Sequence, residues 1–276
     1  MKRKTLQKAI VYNGIGVHKG EKINIRILPA NSGDGIVIKR TDLKENNIIP
    51  VIIENVFDLT RGTNVRNEHG AQVYTIEHLM AVLAAYKITD VLIELDGNEM
   101  PIGDGSGFHF LELIDIAGVK ELDGEVDYIE IKEPIFVRDE GKMVIGLPYH
   151  EYRISYTIDF NHTFLKAQYM DFNVSESEFK EQVSRARTFG FDYEIKYLKE
   201  NNLALGGSLD NAIVVSKNGI LNEDGLRFEN EFVRHKVLDL LGDIKILNRP
   251  VKGHIIAIKA GHAINNKFAK ELAKLI

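Results

Sequence analysis

The chain has 276 residues, of which 44% are hydrophobic and 27% charged, and its formal net charge is -5. This composition is sufficient for a large hydrophobic core and excludes global disorder, and without a basic tail or stripe it argues against a nucleic-acid partner. The chain has no cysteine, which excludes disulfides, iron–sulfur clusters, thiolate metal sites and a cysteine nucleophile.

The beginning of the chain is basic but is not followed by an apolar signal core. No apolar run approaches the ~18 residues that a membrane span requires. We therefore expect a cytoplasmic protein.

In the first half, apolar and polar residues alternate over 4–30 around turn-rich glycines, which predicts antiparallel strands. The same reasoning predicts further strands at 35–39, 48–53 and 90–95, a helix from about Thr75, a glycine-rich loop at 101–107 and a helix over 108–117.

Around Asp123-Gly124-Glu125 the pattern returns to strands, so we place a domain boundary there and expect domains over 1–124 and 125–276. A capping box at Ser175 and Glu178 predicts a helix start. The other elements predicted in this half are strands at 128–131, 152–160 and 254–260 and helices over 231–247 and from about Asn265. Each half combines strands with at least two helices, which is an α+β pattern.

The helix predicted over 231–247 carries His235, Asp239 and Asp243 at spacing i, i+4, i+8, which places them on one face. An imidazole and a carboxylate one turn apart can reach a single metal ion with little strain. A solvated polar face that contains a histidine by chance is the alternative, and this segment alone does not exclude it.

Glu77 and His78 fall in the first turn of the helix that starts near Thr75. The helix dipole is positive there, which favours a neutral imidazole and an ionised glutamate. Glutamate is common in first turns, so an ordinary structural role stays open. The H-E-x-x-H spacing of zinc peptidases is absent.

His262 lies between a predicted strand end and a helix start, a position that presents side chains to clefts. A histidine that merely caps or packs at this turn is an equal alternative. Asp104, in its glycine-rich loop, is better explained as a loop-capping carboxylate than as a catalytic one.

Together with Ser184-Arg185-Ala186-Arg187-Thr188-Phe189-Gly190-Phe191 and Gly206-Gly207-Ser208-Leu209-Asp210-Asn211, these segments resemble the zinc-dependent UDP-3-O-acyl-N-acetylglucosamine deacetylases of Gram-negative bacteria. The resemblance covers nearly the whole chain in the family's order. It implies two similar domains, each a small sheet with two helices, with the helices between the two sheets. It also implies one insert per domain, near 56–73 and 161–182.

The resemblance further implies that His78, His235 and Asp239 hold one zinc ion per chain, with Glu77 as the general base. It implies that His262 stabilises the oxyanion and protonates the amine, with Asp243 as its partner and Thr188 as an oxyanion contact. The expected substrate contacts are Lys236, Lys259, Phe160, Asn161, Phe191, His18 and Ile195.

Amide hydrolysis needs an activated water, a stabilised oxyanion and a proton for the amine, and these residue types can supply all three. We therefore expect a deacetylase acting on an acylated UDP-sugar in lipid A synthesis, monomeric and with at most transient contact with acyl lipid or acyl-carrier enzymes. One alternative is a zinc amidase for another N-acetylated metabolite. The other is a non-enzymatic nucleotide- or RNA-binding α+β module with structural histidines.

Overall fold

The computed structural model describes all 276 residues. Its helices are α1 (Glu77–Ala85), α2 (Phe108–Ala117), α3 (Glu176–Gln182), α4 (Ile195–Glu200), α5 (Glu231–Lys245) and α6 (His262–Ala273), with short 3-10 helices at Ile53–Asn55 and Asp192–Glu194. Its strands are β1 (Lys2–Leu6), β2 (Ile10–Ile15), β3 (Lys22–Pro29), β4 (Ile36–Arg40), β5 (Ile48–Pro50), β6 (Val65–Arg66), β7 (Gln72–Val73), β8 (Val91–Leu95), β9 (Val119–Glu125), β10 (Ile129–Glu130), β11 (Ile135–Asp139), β12 (Lys142–Leu147), β13 (Tyr152–Ile158), β14 (Gln168–Asn173), β15 (Phe189–Phe191), β16 (Ile213–Ser216), β17 (Gly219–Ile220) and β18 (Val251–Ile258).

Each half of the chain builds one main sheet. The first has the order β2-β3-β8-β4-β5, and the second has the order β11-β12-β18-β13-β14 with the short β10 beside β18. In both sheets the central strand has one antiparallel and one parallel neighbour. β8 is antiparallel to β3 and parallel to β4, and β18 is antiparallel to β12 and parallel to β13. The two sheets therefore repeat one topology, which confirms the predicted α+β fold of two similar halves.

Four helices, α1, α2, α5 and α6, lie between these sheets. α1 packs against α5, while α5 also packs on β13 and β14, and α6 packs on β11 and β12. α1 is buried on nearly every side, with only Ala84 partly exposed. A helix that is apolar all round is typical of such a central position.

The closest approach of the two central helices depends on Gly242 of α5. A Cβ atom at this position would lie 2.1 Å from the carbonyl oxygen of Glu77, at the start of α1. Glycine is therefore the only residue that permits this distance between the helices.

The expected inserts fall differently in the two halves. The segment 56–73 holds the separate β6–β7 hairpin. The segment 161–182 contains α3 and β14, and β14 is an edge strand of the main sheet whose Met170 and Phe172 are buried. The separate three-stranded sheet of this half, β15-β16-β17, lies later, at 189–220.

The sequence patterns missed or displaced some element bounds. β1 and β9 form a separate antiparallel pair, and most of β9 is exposed and polar, so that it shows no apolar alternation. The last helix begins at His262, three residues before the predicted start at Asn265. None of the helices is both long enough and apolar enough to cross a bilayer.

Candidate metal centre and active site

Three buried side chains from the two central helices form a candidate metal centre. His78 lies in the first turn of α1, and His235 and Asp239 lie one turn apart on α5. Their potential ligand atoms lie within 4.8 Å of one another. The Oδ1 atom of Asp239 is 3.3 Å from Nε2 of His235 and 4.0 Å from Nε2 of His78.

The hydrogen bonds of these side chains fit a metal ion. Nδ1 of His235 is 3.0 Å from the carbonyl oxygen of Ala186, and since a carbonyl can only accept, Nδ1 carries the proton and Nε2 offers its lone pair to the cluster. Nδ1 of His78 is buried without a hydrogen-bond partner. Two imidazoles and one carboxylate form a donor set that suits a catalytic zinc ion.

The protonation states also fit. Burial, with the nearby His235, lowers the pKa of His78 to about 3, and burial lowers the pKa of His235. Burial raises the pKa of Asp239, but the ammonium group of Lys236 and the protonated His262 more than offset this and hold the pKa well below its usual range. Both imidazoles are therefore neutral and the carboxylate is ionised, the forms in which these groups bind a cation.

Two groups suited to proton transfer face the cluster. Oε1 of Glu77 lies 3.9 Å from Nε2 of His262, which is also 3.9 Å from Oδ2 of Asp239. Burial raises the pKa of Glu77 to about 7 although the nearby His262 opposes the shift. Burial would lower the pKa of His262, but the charge and hydrogen bond of Asp243 raise it to about 9. Near neutral pH, Glu77 is therefore close to its pKa and only partly ionised, while the His262 imidazole is protonated.

Asp243 is held by three donors. Nδ1 of His262 is 3.0 Å from its Oδ2 atom, the amide of Asn265 donates to the same oxygen at 2.8 Å, and the hydroxyl of Thr63 donates to Oδ1 at 2.6 Å. The backbone N–H of Thr63 also donates to Oε2 of Glu77 at 2.9 Å. Thr63, from the first insert, therefore contacts both Glu77 and Asp243, the carboxylate that pairs with His262.

Sequence reasoning missed Thr63, Asn265 and the Ala186 carbonyl. Asn265 lies three residues after His262 on the same helix, and that spacing was the one available signal. Thr63 stands in a segment with no periodic pattern, and a backbone carbonyl carries no residue signature at all.

The segment 186–188 contacts the centre through the backbone carbonyl of Ala186. The N–H of Thr188 donates to the carbonyl of Gly105 at 2.8 Å. Arg187 is buried and pairs with the equally buried Glu231, with 2.9 Å between Nε and Oε1. Glu231 lies one turn before His235 on α5, and Arg187 directly follows Ala186. The ion pair therefore holds the Ala186 carbonyl beside the His235 imidazole, and this carbonyl orients the ring.

Of the expected substrate contacts, Lys236 contacts the centre directly, and Phe160 and Phe191 are connected to it through Phe189. Nζ of Lys236 donates to Oδ2 of Asp239 at 2.6 Å. Phe160 and Phe191 pack edge to face at 5.5 Å between ring centroids. Both rings also contact Phe189, whose centroid is 6.4 Å from that of His235. An aromatic wall thus flanks the α5 side of the cluster.

The other expected contacts have no hydrogen bond or ion pair with the metal-centre residues. Lys259 pairs with Asp159 at 2.5 Å, and Asn161 is exposed. Nε2 of His18 lies 3.4 Å from the carbonyl oxygen of Arg61. Ile195 begins α4 and is half-buried. The ion pair between Arg61 and Glu194, 2.8 Å long, joins the first insert to the residue before α4.

Comparisons with known proteins identify the family of this chain. Residues 3–274 match the family model described as LpxC: UDP-3-O-acyl N-acetylglycosamine deacetylase. Relatives named UDP-3-O-acyl-N-acetylglucosamine deacetylase include that of Idiomarina loihiensis, 43% identical over 274 residues, 99% of this chain and 90% of the relative. Those of Myxococcus xanthus and Saccharophagus degradans are both 44% identical, covering 98% and 99% of this chain and 86% and 91% of the relatives.

Proposed function

The chain belongs to the UDP-3-O-acyl N-acetylglycosamine deacetylase family, and on that premise we propose that it hydrolyses the acetamide of UDP-3-O-acyl-N-acetylglucosamine in a zinc-dependent reaction. The products are acetate and UDP-3-O-acyl-glucosamine, and the reaction is the committed step of lipid A synthesis. The observation that carries the proposal is the buried cluster of His78, His235 and Asp239 with Glu77 and His262 facing it.

His78, His235 and Asp239 would hold the zinc ion. Such an ion supplies Lewis acidity, which polarises a carbonyl and lowers the pKa of water. The neutral imidazoles and the ionised carboxylate leave such a centre with a net positive charge, which favours a substrate that develops negative charge.

Glu77 and His262 divide the proton transfers. In its ionised form, Glu77 accepts a proton from the attacking water, and a pKa of about 7 keeps a useful fraction of this base ionised at neutral pH. His262 carries protons on both nitrogens below its pKa of about 9. Its Nδ1–H points to Asp243, so its Nε2–H is the donor for the oxyanion and the departing amine.

The remaining residues bind the substrate in this proposal. Thr188 contacts the oxyanion, while Lys236, Lys259, Phe160, Asn161, Phe191 and His18 contact the nucleotide, its phosphates or the sugar. The aromatic wall beside His235 supports the placement of the two phenylalanines.

We also propose that the chain divides into domains 1–124 and 125–276, with the boundary at the end of β9.

Ile195 is proposed to line a passage for the acyl chain. It is half-buried on α4 beside Tyr193 and Tyr197, large hydrophobic residues that are 67% and 62% exposed. Ile195→Trp should change the preference among acyl-chain lengths by ~10-fold in kcat/KM. The larger side chain would shorten the passage, and each methylene that a hydrophobic pocket accepts or rejects changes kcat/KM by about that factor. Unchanged kcat/KM ratios across a chain-length series would place the passage elsewhere.

The test is acetate release from the acylated sugar nucleotide, measured with metal-depleted protein and after zinc is restored. We expect activity only with zinc, and little with UDP-N-acetylglucosamine that lacks the acyl chain. Full activity of the depleted protein would contradict zinc dependence. Equal activity on unrelated N-acetylated metabolites would favour a general amidase, and absence of both zinc and activity would favour a binding module.

A further inference from the structure

A cleft of about 320 Å³ lies between the two halves of the molecule, away from the metal centre. It is lined by Ala84 and Lys87 at the end of α1 and by Leu241 and Lys245 at the end of α5. The metal-centre residues lie at the start of α1 and nearer the start of α5. His235 and Lys245 are ten residues apart on α5, or ~15 Å along the helix.

The charged residues of this cleft are mostly basic. Its lining contains Lys87, Lys245, Arg249 and Lys252 but only one acidic residue, Glu151. The chain as a whole has a net charge of -5, so the concentration of positive charge here departs from the average surface. A recess lined by one sign of charge attracts ligands of the opposite sign.

Lys245 is the most informative of these residues. It is only 6% exposed and forms no ion pair with a carboxylate. Its ammonium group donates to two neutral oxygens, the carbonyl of Ile88 at 2.6 Å and Oδ1 of Asn248 at 3.0 Å. Burial lowers the pKa of Lys245 to about 7, although the charge of Asp90 opposes the shift. A buried ammonium that no carboxylate contacts is costly, and an anion in the cleft would offset that cost.

One residue of the lining, Tyr152, has a polar atom without a hydrogen-bond partner. The hydroxyl of Tyr152 is buried and makes no hydrogen bond. Most buried hydroxyls are paired, so an unpaired one requires an explanation. A phenol can donate to an anionic oxygen, which is the same ligand chemistry that the lysine favours.

Part of the lining is apolar, with Val174, Leu241, Ile244 and Pro250. Tyr128 adds an aromatic face, with Nζ of Lys252 at 4.6 Å from its ring centroid. The volume is at the lower end of the range for small-molecule sites. An inorganic anion alone would leave this apolar surface uncovered.

We propose that this cleft is a second binding site, for a small organic anion in which a phosphate ester or carboxylate is attached to an apolar or aromatic group. The anionic group lies near Lys245 and the Tyr152 hydroxyl, and the apolar group lies against Leu241 and Ile244. The cleft is lined by Lys87 from the first half and Arg249 from the second, so a ligand that fills it lies between the two halves.

Isothermal titration of the zinc-loaded protein with phenyl phosphate, benzoate and inorganic phosphate tests the proposal. One of the two aromatic anions should bind with a Kd of ~1 mM or lower, and more tightly than inorganic phosphate. Preference for phenyl phosphate would identify a phosphate ester as the natural class, and preference for benzoate a carboxylate.

The variants Arg249→Glu and Lys252→Glu should each weaken binding by ~10-fold or more, since each replaces an attraction to the anion by a repulsion. Both residues are partly exposed, so folding should be kept. Tyr152→Phe should weaken binding by a smaller factor. The matched control is Lys217→Glu, an exposed lysine in the turn after β16, which should bind as the parent protein does.

Deacetylation of the sugar nucleotide is measured on the same variants, so that a failure of the second site is separated from a failure of the proposed function. An unchanged Kd in both glutamate variants would overturn the proposal, because the anion would then bind elsewhere, for example at the metal centre. Absence of binding at ~10 mM would overturn it as well, and so would equal affinity for inorganic phosphate.

Discussion

The two halves of the molecule repeat one sheet topology but contribute unequally to the candidate site. The central helix of the first half, α1, supplies Glu77 and His78 from its first turn and is otherwise apolar and buried. The corresponding helix α5 supplies His235, Asp239 and Asp243 along one face. A repeated fold thus gives two similar scaffolds, and the site arises where they meet.

The same contrast holds for α2 and α6, the helices that follow the central strand of each main sheet. α6 begins with His262, directly after a short connection from β18, whereas α2 begins with Phe108 after a long glycine-rich loop. The first half compensates with Thr63 from its insert, which contacts Asp243 of the second half. The comparison shows that equal topology leaves side-chain chemistry free to diverge at equivalent positions.

The largest expected effect is loss of a metal ligand, which tests whether both halves are needed to hold the ion. His78→Ala, His235→Ala and Asp239→Ala should each lose zinc on dialysis against a mild chelator. Each should lower kcat/KM by ~10³-fold or more, because several kcal/mol of electrophilic stabilisation are lost. Full zinc occupancy in the His78→Ala protein would show that the second half binds the ion alone.

The proposed proton-transfer pair also divides between the halves, with Glu77 from the first and His262 from the second. Replacing either by alanine should lower kcat/KM by ~10²–10⁴-fold while zinc is retained, since neither is assigned as a ligand. Zinc content and kcat/KM of the two variants are the measurements. A Glu77→Ala protein without zinc would require the roles of Glu77 and His78 to be reassigned.

The pH dependence of kcat/KM distinguishes the two groups. Glu77 must be ionised, so activity falls as the pH drops through its pKa of about 7. His262 must be protonated, so activity falls as the pH rises through its pKa of about 9. A bound divalent cation lowers both pKa values, and the limbs belong to a coupled site. His262→Ala should lose the basic limb, and a variant that keeps both limbs would contradict the assignment.

A smaller effect is expected at Thr63, the contact by which the first half reaches Asp243. Thr63→Val removes the hydroxyl donor and should lower kcat/KM by ~10–100-fold with zinc content unchanged, as for other groups that orient a functional side chain. Thr63→Ser keeps the donor and should recover most of the activity. Equal activity of the valine and serine variants would assign Thr63 to packing.

The last prediction concerns stability rather than catalysis, at Gly242, where the two central helices touch. Gly242→Ala places a Cβ atom 2.1 Å from the Glu77 carbonyl oxygen, so the helices must separate, at a cost of ~1–3 kcal/mol in the free energy of unfolding. The control is Gly219→Ala, where a Cβ atom meets nothing within 4 Å. Urea denaturation of both variants measures the difference, and equal stability would refute the close approach.

The sequence by itself determined the local part of this site. The spacing of His235, Asp239 and Asp243 predicted one shared helix face, because helical periodicity depends only on positions along the chain. The capping box at Ser175 likewise located the start of α3, and the alternation of residues indicated the α+β class. The positions of Glu77 and His78 in a first turn followed from the same local signals.

Only the tertiary structure decided which of these local features meet. The hydroxyl of Thr63 and the carboxylate of Asp243 are 180 residues apart in the chain, and the Ala186 carbonyl reaches His235 from 49 residues away. The assignment of β14 to the main sheet depended on its pairing with β13. Such contacts depend on how whole helices and sheets pack, and the packing is set by the sum of many buried surfaces rather than by a pattern in one segment.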